Sequence, residues 1–165
     1  ILLWIQMCAH CGQYYSALRE LRFLLEFTLK AYYLDKKYPH ASIKFKIENE
    51  RELIGGRLIN ELDLSSEHKN KLKILYKELS GYTHPTKEEL SPILSGDVGM
   101  RVTFAFDEDF FNKCKEFTNR VVDVVFFITI KEYNSIINEL KKDNKLLTSL
   151  KDLKYELTIN YLNDL

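Results

Sequence analysis

Apolar side chains recur along this chain at three- and four-residue intervals, the period of a helix. From Ile1 to about Tyr38, the set Ala17, Leu18, Leu21, Leu24, Leu25, Phe27, Leu29, Ala31 and Tyr32 covers about two-thirds of a helical wheel. An arc that wide predicts a central helix enclosed by several neighbours. Tyr38-Pro39 and His40 end it, because a residue before proline is pushed out of the helical region. A second helical stretch runs from Ser42 to about Leu62, with Ile43, Ile47, Leu53, Ile54, Leu58, Ile59 and Leu62 as its apolar positions. Gly55-Gly56 interrupts it at about 2 kcal/mol relative to two alanines, so either the helix breaks there or a neighbour packs close.

After the connection Leu64-Ser65-Ser66-Glu67, in which Ser65 or Ser66 can cap, a third helix is predicted from about Glu67 to Ser80. Leu72, Leu75, Tyr76 and Leu79 form its stripe, Gly81 suits the position just past its end, and Pro85 blocks continuation. A short helix over Thr86–Leu94, a loop at Ser95-Gly96-Asp97-Val98-Gly99 and an alternating extended piece at Val102, Phe104 and Phe106 follow. Asp107-Glu108-Asp109 places negative charge where a helix dipole favours it, and Phe110, Cys114, Phe117, Val121, Val124 and Ile128 make a core stripe through about Tyr133. Residues 135–165 read as helical with a break near Asp143-Asn144, and Leu146, Leu150, Leu153 and Leu157 form a short coiled-coil-like seam. The expectation is one all-α domain: an antiparallel bundle of four to five helices (1–95), a connector (96–106) and a long helix with a C-terminal helical extension (107–165).

Composition narrows the classes. Six Gly and three Pro are too few turn-formers for a β-sandwich or barrel. Lys plus Arg and Asp plus Glu both number 24, so no whole-chain basic field attracts nucleic acid and only a local basic face can. No apolar run is long enough to span a membrane; the longest, Val121 to Ile130, contains Asp123. Ile1-Leu2-Leu3-Trp4-Ile5 lacks the basic flank of a signal peptide, and a start without Met in mid-pattern suggests that an N-terminal portion precedes it. Three cysteines argue against a disulfide framework and for a reducing, cytoplasmic setting, and the Lys- and Glu-rich, Gln-poor balance leans towards a thermophile.

Three constellations bear chemistry. Cys8-Ala9-His10-Cys11 contains a CxxC, but no second pair completes four zinc ligands, so it reads as small buried thiols and no metal or cofactor is expected. Arg19, Arg22, Glu26 and Lys30 share one helical stripe flanked by Tyr15 and Tyr33. That stripe is either the solvated, salt-bridged face of a buried helix or a basic, aromatic wall that holds phosphates and stacks bases. Lys69, Lys73 and Lys77 form a second basic stripe, and His84 follows two turns on. A histidine near a helix C-terminus beside a cation suits acid–base work on a ribose 2′-hydroxyl, with the cation stabilising the phosphorane charge. The plainer reading is a histidine that complements the dipole. His68 falls on the apolar stripe as a core or edge residue; His10 and His40 have no comparable context.

Two blocks resemble HEPN-type helical domains. Tyr14-Tyr15-Ser16-Ala17-Leu18-Arg19-Glu20-Leu21-Arg22-Phe23-Leu24-Leu25-Glu26 is similar to the family's long second helix, and Leu75-Tyr76-Lys77-Glu78-Leu79-Ser80-Gly81-Tyr82-Thr83-His84-Pro85 to the end of a later one. The resemblance covers residues 10–95. It implies an all-α homodimer that acts on RNA as a metal-independent ribonuclease, or an inactive binding module with a cognate protein partner, in defence or RNA processing. It assigns His84 as general acid/base and Glu26 as the acid that lines the cleft. The family's Arg, four to six residues before the His, is absent: Lys77 stands nearest, with six residues between, and lacks the guanidinium fork. Arg22 is then the candidate donor of that fork, with Arg19, Tyr15, Lys73 and Lys69 as further nucleic-acid contacts. The rival expectation is a non-catalytic dimerisation domain using the Leu146–Leu157 seam and the helix Phe110–Ile130.

Overall fold

The computed structural model describes residues 1–50, 55–83 and 106–164, and every regular element among them is helical. In chain order these are α1 (Leu2–His10), α2 (Tyr14–Lys37), α3 (Ile43–Glu50), α4 (Gly55–Glu61), α5 (Ser66–Thr83), α6 (Glu108–Glu132), a 3₁₀ turn (Asn134–Ile136), α7 (Ile137–Lys142), α8 (Asn144–Asp152) and α9 (Glu156–Asp164). The all-α expectation holds. His84, the segment Thr86–Leu94, the loop at 95–99 and most of the extended piece lie outside the described residues. Among the described residues no helix is long and apolar enough to cross a membrane.

The long first helix expected over 1–38 is in fact two. Gly12 adopts φ 74, Gly12 N–H donates to the Ala9 carbonyl and Gln13 N–H to that of Cys8. This is the hydrogen-bond pattern of a left-handed helix stop, open to glycine at little cost. Gly81 does the opposite. It lies inside α5, which continues to Thr83, and is not the terminator its sequence position suggested. Other ends follow the sequence. Ser65 Oγ accepts from His68 N–H, Asp107 from Phe110 N–H, and Asp143 Oδ1 from the Lys145 and Leu146 amides, the last explaining the break at 143–144.

Three long helices enclose the main core. Along α2 and α5 the contacts run in opposite order, Tyr15 to Tyr82 and Arg22 to Tyr76, so the two are antiparallel. Along α2 and α6 they run in the same order, Tyr14 to Phe110 and Lys36 to Glu132. Leu18, Leu21, Leu25 and Leu29 of α2 are buried between these partners, together with Leu72, Leu75 and Leu79 of α5 and Phe117, Val121, Val124 and Phe127 of α6. The wide apolar arc of α2 thus meets α1, α4, α5 and α6, as a central helix must.

The C-terminal segment makes a second, smaller core on α6. Leu150, Tyr155 and Leu162 are buried with Ile130 and Ile137, and Leu146 and Leu147 pack against them. Leu157 joins the main core. The leucine seam expected to pair chains is therefore consumed within this one, leaving only Leu153 substantially exposed.

Asp123 joins α6 to this segment. The residue is buried, and its two carboxylate oxygens accept from the Leu157 and Thr158 amides at 2.9 and 3.0 Å. A side chain of one helix thus caps the N-terminus of another. Ahead of it, α8 ends on a second left-handed stop: Lys154 has φ 57, its N–H bonds the Lys151 carbonyl, and Tyr155 N–H bonds that of Leu150. Here the left-handed residue is a lysine, whose Cβ makes the conformation cost about 1 kcal/mol. Lys154→Gly is expected to raise stability by about 0.5–1 kcal/mol in urea unfolding; an unchanged or lower midpoint would contradict the strain.

Candidate functional site

The predicted residues Arg22 and Glu26 come together at the contact between α2 and α5. Both belong to the flank of α2 rather than its buried face. Spacing of four aligns them with Lys30: Arg22 Nη1 is 3.0 Å from Glu26 Oε2, and Lys30 Nζ is 3.1 Å from Glu26 Oε1. From α5, Ser80 Oγ accepts from Arg22 Nε at 3.1 Å and the Tyr76 hydroxyl accepts from Nη2. The guanidinium also lies over the Tyr76 ring, 4.7 Å from its centroid. The Arg22 side chain is only 17% exposed. A guanidinium has five N–H donors. These contacts use three, so the fork is fixed in place with donors in reserve.

The neighbourhood of Tyr76 is built by a glycine. Gly55, at the start of α4, is buried directly beneath the phenol, and a Cβ there would overlap the Tyr76 hydroxyl and ring. Of the two readings of Gly55-Gly56, the structure shows the close neighbour, the Tyr76 phenol against Gly55. Gly55→Ala is expected to push Tyr76 off Arg22 and destabilise by about 1–3 kcal/mol, an overpacking cost larger than the propensity gain. Equal or higher stability in thermal unfolding would show that the phenol moves freely.

The remaining predicted residues divide. Lys69 is spent structurally: its ammonium donates to the Asn60 carbonyl at 2.9 Å, closing the end of α4. Lys73 and Lys77 are exposed on α5, on the solvent side of Tyr76 and Ser80. Arg19 is mostly exposed and 3.6 Å from Glu20. Tyr15 packs against Tyr82 and Phe110. Tyr33 belongs to a separate chain in which it donates to Glu61 and accepts from Lys37.

Tyr76, Ser80 and Gly55 were missed as site residues. Tyr76 read as one more apolar stripe position, although its i,i+4 spacing to Ser80 on one helix flank was available as a signal. The CxxC departs from the expected pair of buried thiols: Cys8 is buried in α1, but Cys11, just past its end, is exposed. Burial pushes the Cys114 thiol up to about 11, so it is inert as a nucleophile. His68 stacks on Phe127 with centroids 4.7 Å apart, and burial holds its pKa below the ordinary histidine value. That is the profile of a structural histidine.

A concavity of about 440 Å³ lies between α5, α6 and the α8–α9 turn. Its charged groups are largely paired. Arg120 contacts Glu78 at 2.6 Å and Glu116 at 3.5 Å, Lys71 contacts Glu67 at 3.0 Å, and Asp123 is the helix cap. The α2–α5 contact is the better candidate because it holds a fixed cation with donors to spare.

Compared with known proteins, the chain matches no family model, no curated protein and no solved structure.

Proposed function

We propose that this chain is a HEPN-like helical module that cleaves single-stranded RNA without a metal ion where α2 meets α5. The observation that supports it is the clamp on Arg22. Glu26, Tyr76 and Ser80 orient a guanidinium at the interface of the two helices that carry the resembling blocks. Arg22 then supplies the bidentate phosphate contact that Lys77 cannot, and Glu26 orients it. Lys77, Lys73 and Arg19 add positive field along the strand. His84 takes the proton of a ribose 2′-hydroxyl. The 2′-oxygen attacks the adjacent phosphorus, the bond from phosphorus to the 5′-oxygen breaks, His84 returns its proton to that oxygen, and a 2′,3′-cyclic phosphate remains. Incubating the protein with mixed single-stranded RNA in EDTA, beside His84→Ala, tests this. Cleavage by the wild type and its loss in the variant are expected, and RNA left intact by the wild type overturns the catalytic reading.

A second reading, a non-catalytic module that dimerises or holds a protein partner, is favoured by α1. There Leu3 is 73% exposed and Trp4 51%, with Leu2 and Met7 beside them. An apolar surface on so short a helix is the usual mark of an interface. Its signature is a dimer in light scattering that Leu3→Asp dissolves; a monomer at all concentrations removes self-association.

A further inference from the structure

Tyr82, on the last turn of α5, is half-buried where three helices meet. Its ring centroid lies 6.3 Å from that of Tyr15 on α2 and 5.8 Å from that of Phe117 on α6, the latter edge-on. Phe110 extends the cluster, 6.2 Å from Tyr15. The exposed Lys113 of α6 holds its ammonium 5.1 Å from the Tyr82 centroid and donates to the phenol oxygen, a bond that raises the lysine's pKa above its ordinary value. A half-exposed aromatic pair with a cation at its rim is the equipment that proteins use to stack a base and meet its phosphate without reading sequence.

The position of the cluster gives it a role. Tyr15 and Arg22 lie on one stripe of α2, seven residues or two turns apart, on the order of 10 Å along the axis. Arg19, mostly exposed, stands between them. From α5, two residues reach this stripe: Ser80 holds Arg22, and the Tyr82 ring meets Tyr15. Stacking surface, exposed arginine and clamped guanidinium therefore follow one another along the flank of α2, at a spacing that neighbouring nucleotides of an extended strand can bridge.

We infer that Tyr15, Tyr82 and Lys113 form a base-stacking subsite for single-stranded RNA, beside the phosphate position at Arg22. This rests on the RNA reading above. A base that enters displaces the Lys113 ammonium from the Tyr82 ring onto the adjoining phosphate. Neither Tyr82 nor Lys113 belongs to the blocks' catalytic residues, so their part is to position the strand.

The test is fluorescence anisotropy with short labelled oligouridylate and oligoadenylate at several salt concentrations. Tyr82→Leu is expected to weaken both RNAs by about tenfold, within the range for loss of one stacked base, while Tyr82→Phe stays within about twofold. Lys113→Met, at an exposed position that leaves the core intact, is expected to weaken binding by a few fold and to lower the logarithmic salt slope by about 0.7, one phosphate contact on a single strand. Unchanged affinity in Tyr82→Leu and Lys113→Met, with the wild type binding, overturns the subsite and leaves the RNA reading standing. A wild type that binds neither RNA overturns both.

Discussion

Asp123→Ala is expected to lower the unfolding free energy by about 2–3 kcal/mol at neutral pH, moving the melting temperature down by roughly 5–10 °C. The carboxylate holds the first amides of α9 through two hydrogen bonds, and both become orphans on truncation, in a buried place that water reaches poorly. Hydrogen bonds to a charged acceptor contribute about 1.5–3 kcal/mol each, and part of that is returned because a buried carboxylate is no longer desolvated. The sum exceeds the loss of an ordinary surface cap, about 1 kcal/mol. Calorimetry checks it, and a change below about 0.5 kcal/mol would show that α9 docks through its apolar face alone.

The same residue shapes the pH profile. Burial raises the Asp123 pKa above its ordinary value, against the opposing pull of the Thr158 and Leu157 hydrogen bonds. The folded state therefore binds this proton more tightly than the unfolded chain. The proton-linked part of its contribution to stability is full below the unfolded pKa and drains away as pH rises through the raised folded value, while the two amide bonds to the carboxylate persist. Asp123→Asn keeps one acceptor and removes the charge. It is expected to lose less stability than the alanine variant and to flatten that part of the stability–pH curve.

Arg22→Lys is expected to reduce RNA cleavage by about 10²-fold or more while lowering stability by only about 1 kcal/mol. The charge survives, but one ammonium cannot reach Glu26, Tyr76 and Ser80 together and offer a fork to phosphate. Stability falls little because Ser80 Oγ still donates to the Tyr76 carbonyl at 2.7 Å, and neither hydroxyl is deeply buried. Tyr76→Phe is the control. It removes one support of the guanidinium and keeps the fork, so a similar loss of stability should accompany only a few-fold loss of cleavage. If both variants lose the same activity in the same proportion to stability, Arg22 is a structural tie between α2 and α5 and nothing more.

Much of the fold is legible in the residues because helix formation and burial are written in local periodicity. The arc on α2 required a helix with neighbours on several sides, and the stripes of α5 and α6 supplied them. Asp107 marked a helix start by its charge and Asp143 a helix break, and the structure makes each of them the cap. Stops were less legible: Gly12 ends a helix and Gly81 does not. Each glycine tolerates either conformation, and the energy that decides comes from what the next residues bury.

The candidate site divides in the same way. Arg22–Glu26–Lys30 is an i,i+4 ladder and was readable as such. That Tyr76 and Ser80 fix its guanidinium was not, because it depends on the antiparallel register of two helices separated by more than fifty residues in sequence. Lys69 looked like part of a basic stripe until the end of α4 was seen to take its ammonium. Leu150 and Leu157 had the spacing of a seam between chains, and a seven-residue repeat cannot say whether the facing surface is another molecule or the chain's own α6. Asp123 shows the limit most sharply. In sequence it was only the charge that interrupts an apolar run. It becomes a helix cap because residues 157 and 158 arrive beside it through tertiary packing. The sequence by itself determined the helices, their inward faces and the residue types available for chemistry, all set by interactions within a turn or two. The tertiary structure decided which polar groups are consumed as caps and ties and which remain free to meet a ligand, since that depends on partners distant in the chain.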